Sequence, residues 1–158
     1  MGRLKDLRAD VEERLRGMPK IHNYNSALIH LYGVSLAATV IAEKRGMNSE
    51  LASMAAMLHD IAAYMNGSYS DHAHKGADMA RDILKELALT SEEETELICS
   101  AIYHHDDKGV VDGPFDELLK DADVIHHIFN DLDKPIQDKE KARYHALCQE
   151  FGLKDRLQ

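Results

Sequence analysis

A chain of 158 residues, 44% of them hydrophobic, is long enough to close one buried core and predicts a single domain over residues 1–158. With 19 Lys and Arg against 28 Asp and Glu, the formal net charge is -9, which excludes non-specific binding of a nucleic-acid polymer but not of one small phosphate. Two cysteines, Cys99 and Cys148, are too few to staple a scaffold and predict reduced thiols in a cytoplasm.

The amino-terminal stretch MGRLKDLRAD is charged from its third residue, which is unlike a signal peptide, and Asp6 stands where a myristoylation signal wants Ser or Thr. No apolar run is expected to reach the length of a bilayer span, so no membrane contact is predicted. A first helix is expected over residues 4–15. Residues 25–45 then place Leu31, Val34, Ala38 and Ile41 at helical spacing, with Gly46 as the stop. Asn48 or Ser49 caps the next helix, whose apolar stripe runs Leu51, Met54, Ala55, Leu58, Ile61 or Ala62, and Met65 before Asn66-Gly67-Ser68 ends it. Residues 71–87 carry Ala77, Ala80, Ile83, Leu84 and Leu87. Thr90 with Glu93 reads as a capping box for a helix through Leu97, Ile98, Ala101 and Ile102. A polar loop, DDKGVVDGP, leads to Pro114, which opens a helix through Leu118, Ala122, Ile125 and Phe129, and residues 139–151 close the chain. Sustained β-branched alternation is missing, so the expected fold is all-α, a multi-helix bundle. Its first and last helices would cap the core or form the contact of a homodimer.

Histidine is the anomaly: there are ten, at positions 22, 30, 59, 72, 74, 104, 105, 126, 127 and 145. MLHDIAAY sets His59 and Asp60 within an apolar stripe, where an imidazole and a carboxylate cost several kcal/mol unless hydrogen bonds or a metal ion compensate for them. His30 flanks the Leu31–Val34–Ala38 stripe, His104 and His105 follow Ala101 and Ile102, and Asp123 lies beside Ala122. Several helices thus carry ligand-type groups beside their core faces, as bundle interiors with carboxylate-and-imidazole metal sites do. His126 and His127, about one turn past Asp123, read as packing or pocket lining, and His22 and His145 as surface residues. His74 competes with His72 as the inward-facing ring of its helix, and His105 is either a ligand or a group orienting His104. No nucleophile is evident: Cys99 lies on an apolar helix and Ser100 has no activating constellation.

In chain order, His30, His59-Asp60, His72, His104-His105 and Asp123 give H…HD…H…HH…D, which resembles the HD superfamily of metal-dependent phosphohydrolases in its extended, two-metal form. MLHDI matches the family's apolar context, HAHKGA its H-x-x-x-G-A, IYHHDDKG its HH-acid stretch and LKDADVI its final A-D-apolar element. The resemblance covers roughly residues 26–128. It implies an HD-type helical fold. It also implies one or two divalent transition-metal ions (Fe, Mn, Ni, Co or Zn), one held by His30, His59, Asp60 and Asp123. The second would be held by His72, His104 and His105, with Asp60 as the bridging, catalytic carboxylate and a metal-held hydroxide as the attacking group. The implied substrate is a nucleotide or another small phosphate ester. Ala63 stands where many members place a phosphate-binding lysine, and Gly113-Pro114 occurs without the tyrosine of the GYP motif, which leaves Lys75 and Lys108 to bind phosphate. The same ligand pattern resembles di-iron oxygenases of the inositol oxygenase type, and a nucleotide-binding sensor without turnover is the third expectation.

Overall fold

The computed structural model describes residues 2–158, which form eight helices and no strand among the described residues. Their boundaries follow from local chemistry. α1 (Arg3–Arg16) ends at Gly17. α2 (Tyr24–Arg45) starts where the Asn23 side chain accepts from the Ser26 amide at 3.0 Å, and it stops at Gly46, whose φ of 66° favours a residue without Cβ. Asn48 caps α3 (Ser49–Leu58) through the Leu51 amide, also at 3.0 Å. α4 (Ile61–Asn66), α5 (His72–Leu87), α6 (Glu92–His104), α7 (Pro114–Phe129) and α8 (Asp138–Phe151) follow. Pro114 takes the first turn of α7, where its missing N–H costs nothing. The capping box of α6 lies one residue later than the sequence suggests, at Ser91 and Glu94, because the Thr90 hydroxyl pairs with Thr95 Oγ1 at 2.7 Å.

The larger difference is at His59-Asp60. The apolar stripe from Leu51 to Met65 predicts one helix, whereas the chain turns between α3 and α4, with Asp60 at φ -105° and ψ 9°. His59 Nδ1 donates back to the Ala56 carbonyl at 2.7 Å, tying its ring to the last turn of α3. The turn frees adjacent side chains from their helical 100° separation and sends both into the same interior space.

α2 packs against α3 and α7, α5 against α4 and α6, and α6 against α3 and α7. Leu31, Val34 and Ala38 meet Met54, Leu58, Ile102, Leu118 and Ala122 in the main core. α1 caps this core with the buried Leu7, Val11 and Leu15, while Val124, Ile128, Tyr144 and Leu147 form a smaller cluster that seats α8 on α7. α2 corrects one expectation: with 22 residues and an 18-residue stretch of mean hydropathy 1.4, it is long and apolar enough to cross a membrane. Here it is the central helix of the bundle, with its buried side against α3 and α7 and Ile29, Leu36 and Val40 on the opposite, exposed side.

Gly76 sets how closely α5 approaches the His59-Asp60 turn, since a Cβ there would lie 3.3 Å from both the His59 carbonyl oxygen and Ile102 Cγ2. Gly76→Val is expected to cost about 1–3 kcal/mol through overpacking, and to lower the melting temperature by roughly 2–10 °C. Calorimetry checks it, and a change under about 1 °C would show that this contact is not tight.

Candidate metal centre

Five elements deliver the inward-facing groups: His30 from α2, His59 and Asp60 from the α3–α4 turn, His72 from the first residue of α5, His105 from the end of α6, and Asp123 from α7. Three of the imidazoles are held alike. Nδ1 donates to a carbonyl of the same chain segment, His59 to Ala56 at 2.7 Å, His72 to Tyr69 at 2.9 Å and His105 to Ile102 at 2.7 Å. In the neutral ring that bond fixes the tautomer and aims each Nε2 lone pair inward. His30 is backed by another ring, its Nδ1 lying 3.0 Å from Nδ1 of His126. For His30 to present a bare Nε2, its Nδ1 donates and His126 accepts. His126 suits that role, because burial and then the neighbouring His30 push it down to about 4 and keep it neutral.

The inward atoms form two triangles that share Asp60. Asp60 Oδ2 lies 3.1 Å from His30 Nε2 and 3.5 Å from His59 Nε2, and these two nitrogens are 3.0 Å apart. Asp60 Oδ1 lies 3.2 Å from His72 Nε2 and 3.3 Å from His105 Nε2, which are themselves 3.2 Å apart. Asp123 Oδ1 joins the first triangle at 3.5 Å from His30 and 3.6 Å from His59, and this buried oxygen has no hydrogen-bond partner. Atoms bound to one transition ion at about 2.1 Å sit roughly 3.0–3.4 Å apart along the edges of an octahedron or tetrahedron. The observed separations fall at or just beyond that range, and an orphaned carboxylate oxygen among bare imidazole nitrogens is a group that a cation satisfies. His30, His59 and Asp60 form one group that could hold a metal ion, and Asp60, His72 and His105 form another.

Electrostatics reinforce the geometry. Burial pushes the Asp60 carboxyl up, but the His59 charge and hydrogen bonds from His105, His30 and His72 outweigh it and hold it well below the usual carboxylate range. Asp123 is likewise raised by burial and lowered further by Lys108 and His59. For His72, burial favours the neutral ring, yet the hydrogen bond and charge of Asp60 raise its pKa above the usual imidazole value. A metal must therefore displace the proton that Asp60 favours on His72 Nε2, so affinity rises with pH until that proton is lost. Cobalt titrations are expected to show weaker binding at about pH 6 than at about pH 8, and an affinity independent of pH over that interval would contradict this ligand role.

Not every expected residue enters the cluster. His104 lies outside it: its Nδ1 bonds the Ser100 carbonyl at 2.9 Å, and its half-exposed ring faces Asp112 and Asp116. Consecutive helical residues point about 100° apart, so α6 can aim only one of His104 and His105 inward. His72 is buried, whereas His74 stacks on Tyr103 and pairs with Asp71 at the surface. Lys75 is exposed, with Nζ on the Ser70 carbonyl. Lys108 is buried beneath the site, its Nζ donating to Asp123 Oδ2 at 2.7 Å and to the His105 carbonyl at 2.6 Å. Its backbone is pinned by Arg143 of α8, and buried Lys120 holds the Val110 carbonyl and Asp112 of the same loop.

The centre lies in a cleft of about 410 Å³ that is also lined by His22, Tyr64 and Tyr69. His22 corrects the surface reading: it lines the cleft, edge-on to both tyrosines, with Nε2 buried and without a partner. His145 does sit at the surface, paired with Asp155. His127 lines the cleft and His126 packs behind His30. His127 had a signal in the sequence, since its place four residues after Asp123 puts both on one helix face; His22, in a loop, had none. Neither Lys75 nor Lys108 lines the cleft.

A family model described as the HD domain matches residues 27–128. No curated protein and no solved structure matches the chain.

Proposed function

The chain belongs to the HD domain family, and from that premise we propose that it is a metal-dependent phosphohydrolase acting on a nucleotide or another small phosphate ester. The reading is carried by Asp60, each of whose carboxylate oxygens closes its own triangle with two imidazole nitrogens at 3.0–3.5 Å. A donor set of imidazoles and carboxylates suits Fe, Mn, Ni, Co or Zn better than magnesium. Bound ions of this kind supply an activated water and withdraw charge from the phosphate.

The chain's own residues supply the rest. Asp60 would be a ligand at both positions, and His59, His72 and His105, each anchored to a backbone carbonyl through Nδ1, would present Nε2 in a fixed direction. Lys108 holds Asp123 in place from below, and that anchoring leaves Lys108 unavailable to the substrate. In the cleft, phosphate oxygens would meet the metal positions and the His22 and tyrosine side chains instead. A volume of about 410 Å³ accommodates a small ester and not a folded polymer.

The test is turnover without oxygen. Protein loaded with manganese, cobalt or iron(II) is assayed anaerobically against p-nitrophenyl phosphate, its bis-ester and a nucleotide panel, and phosphate or p-nitrophenol release is expected. Turnover that requires both iron and O₂ would transfer the site to the oxygenase chemistry, and nucleotide binding with no product would make it a sensor.

A further inference from the structure

One imidazole at the centre is built unlike the others. His127 Nε2 lies 3.3 Å from Asp123 Oδ1, closer than the 3.5 and 3.6 Å at which His30 and His59 approach the same oxygen. Its ring stacks on that of His30, with centroids 5.5 Å apart and planes 16° from parallel. His30, Asp123 and His127 each offer a ligand atom within 4.8 Å of the other two. Behind the ring, Nδ1 donates to Oε1 of Glu140 at 2.8 Å, and Glu140 is only 2% exposed. His59, His72 and His105 have backbone carbonyls in that place; His127 has a buried carboxylate.

We propose that His127 is an additional ligand of the ion held by His30 and Asp123, and that Glu140 of α8 is the residue that positions it. The inference rests on the metal-centre reading above and deepens it. A carboxylate behind an imidazole fixes the tautomer with Nε2 bare, orients the ring and makes that nitrogen a better donor. A purely structural pairing of Glu140 with His127 would not require Nε2 to face another ligand atom. Instead Nε2 is directed at the one Asp123 oxygen that has no hydrogen-bond partner. An imidazole nitrogen and a carboxylate oxygen that approach to 3.3 Å without a hydrogen bond between them are placed as two ligands of a shared cation would be. Glu140 lies on α8, beyond the residues 27–128 that match the family model.

Cobalt(II) is the probe. Wild type, His127→Ala, Glu140→Gln and the double variant are titrated with it, followed by visible absorption and by competition with a chelator. His127→Ala is expected to weaken retention of one ion about tenfold or more and to change the intensity of the cobalt bands, because the coordination number changes. Glu140→Gln should move both readouts in the same direction by less, and add nothing once His127 is gone. Should His127→Ala fail to fold, Glu140→Gln alone decides. Wild-type retention and an unchanged spectrum in Glu140→Gln, or in a His127→Ala protein that is folded by circular dichroism, would overturn the assignment. So would an effect of Glu140→Gln that persists in full without His127. A wild-type protein that takes up no cobalt would remove the metal centre itself, which separates that failure from one confined to His127.

Discussion

Asp60→Asn is expected to abolish turnover, by about three orders of magnitude or more, and to leave the purified protein with far less metal than wild type. The substitution keeps the size of the side chain and removes the charge that both triangles share. The amide offers one acceptor oxygen in place of two, so at most one triangle keeps its oxygen ligand. His145→Ala, at the surface and paired with Asp155, is the control and should retain wild-type metal and activity. Metal content by elemental analysis and phosphate release measured on the same preparations check both halves. An Asp60→Asn protein with full metal and full turnover would rule out the bridge.

Lys108→Met is expected to destabilise the metal-free protein by about 3–5 kcal/mol, because it strands the Asp123 carboxylate in the interior without its cation. For a chain of this length that is a fall in melting temperature of the order of 10 °C. Asp123, whose native pKa lies below the ordinary value, contributes stability that is present above its unfolded pKa of about 3.9 and is lost as pH falls through the lower native value. Without Lys108 that native pKa rises, so the acid limb of unfolding begins at higher pH. Manganese should return part of the loss by placing positive charge beside the same oxygens, giving the variant a larger metal-induced rise in melting temperature than wild type. Thermal melts with and without manganese, repeated at acid pH, measure all of this. A metal-free variant melting within about 2 °C of wild type would show that Lys108 does not compensate Asp123.

Local signals in the sequence carried far. Gly46, Asn48 and Pro114 mark helix ends by chemistry that acts within a few residues, and the structure places boundaries at all three. The His59-Asp60 turn was not legible, because Leu58, Ile61 and Met65 continue a helical stripe across it. What breaks the helix is a set of partners from α2, α5 and α6 that no short window contains. The choice between His104 and His105 depended on the rotation of α6 at its last residue, where a shift of one position reverses the outcome. His72 over His74 was more accessible: His72, Gly76 and Ala80 lie four apart on one buried line of α5. Lys108 sat in a loop that looked solvated, and only the tertiary contacts of Arg143 and Lys120 turn it inward. Glu140 gave no hint at all, since its partner is 13 residues away across a turn.

The most direct test of the central claim is the amount of metal per chain in protein purified without chelator and reloaded anaerobically with iron, manganese or cobalt. The geometry predicts close to two transition-metal ions per chain, and far less metal in Asp60→Asn. No bound metal after reloading would contradict it, and the His-Asp turn would then be a polar core satisfied by its own hydrogen bonds.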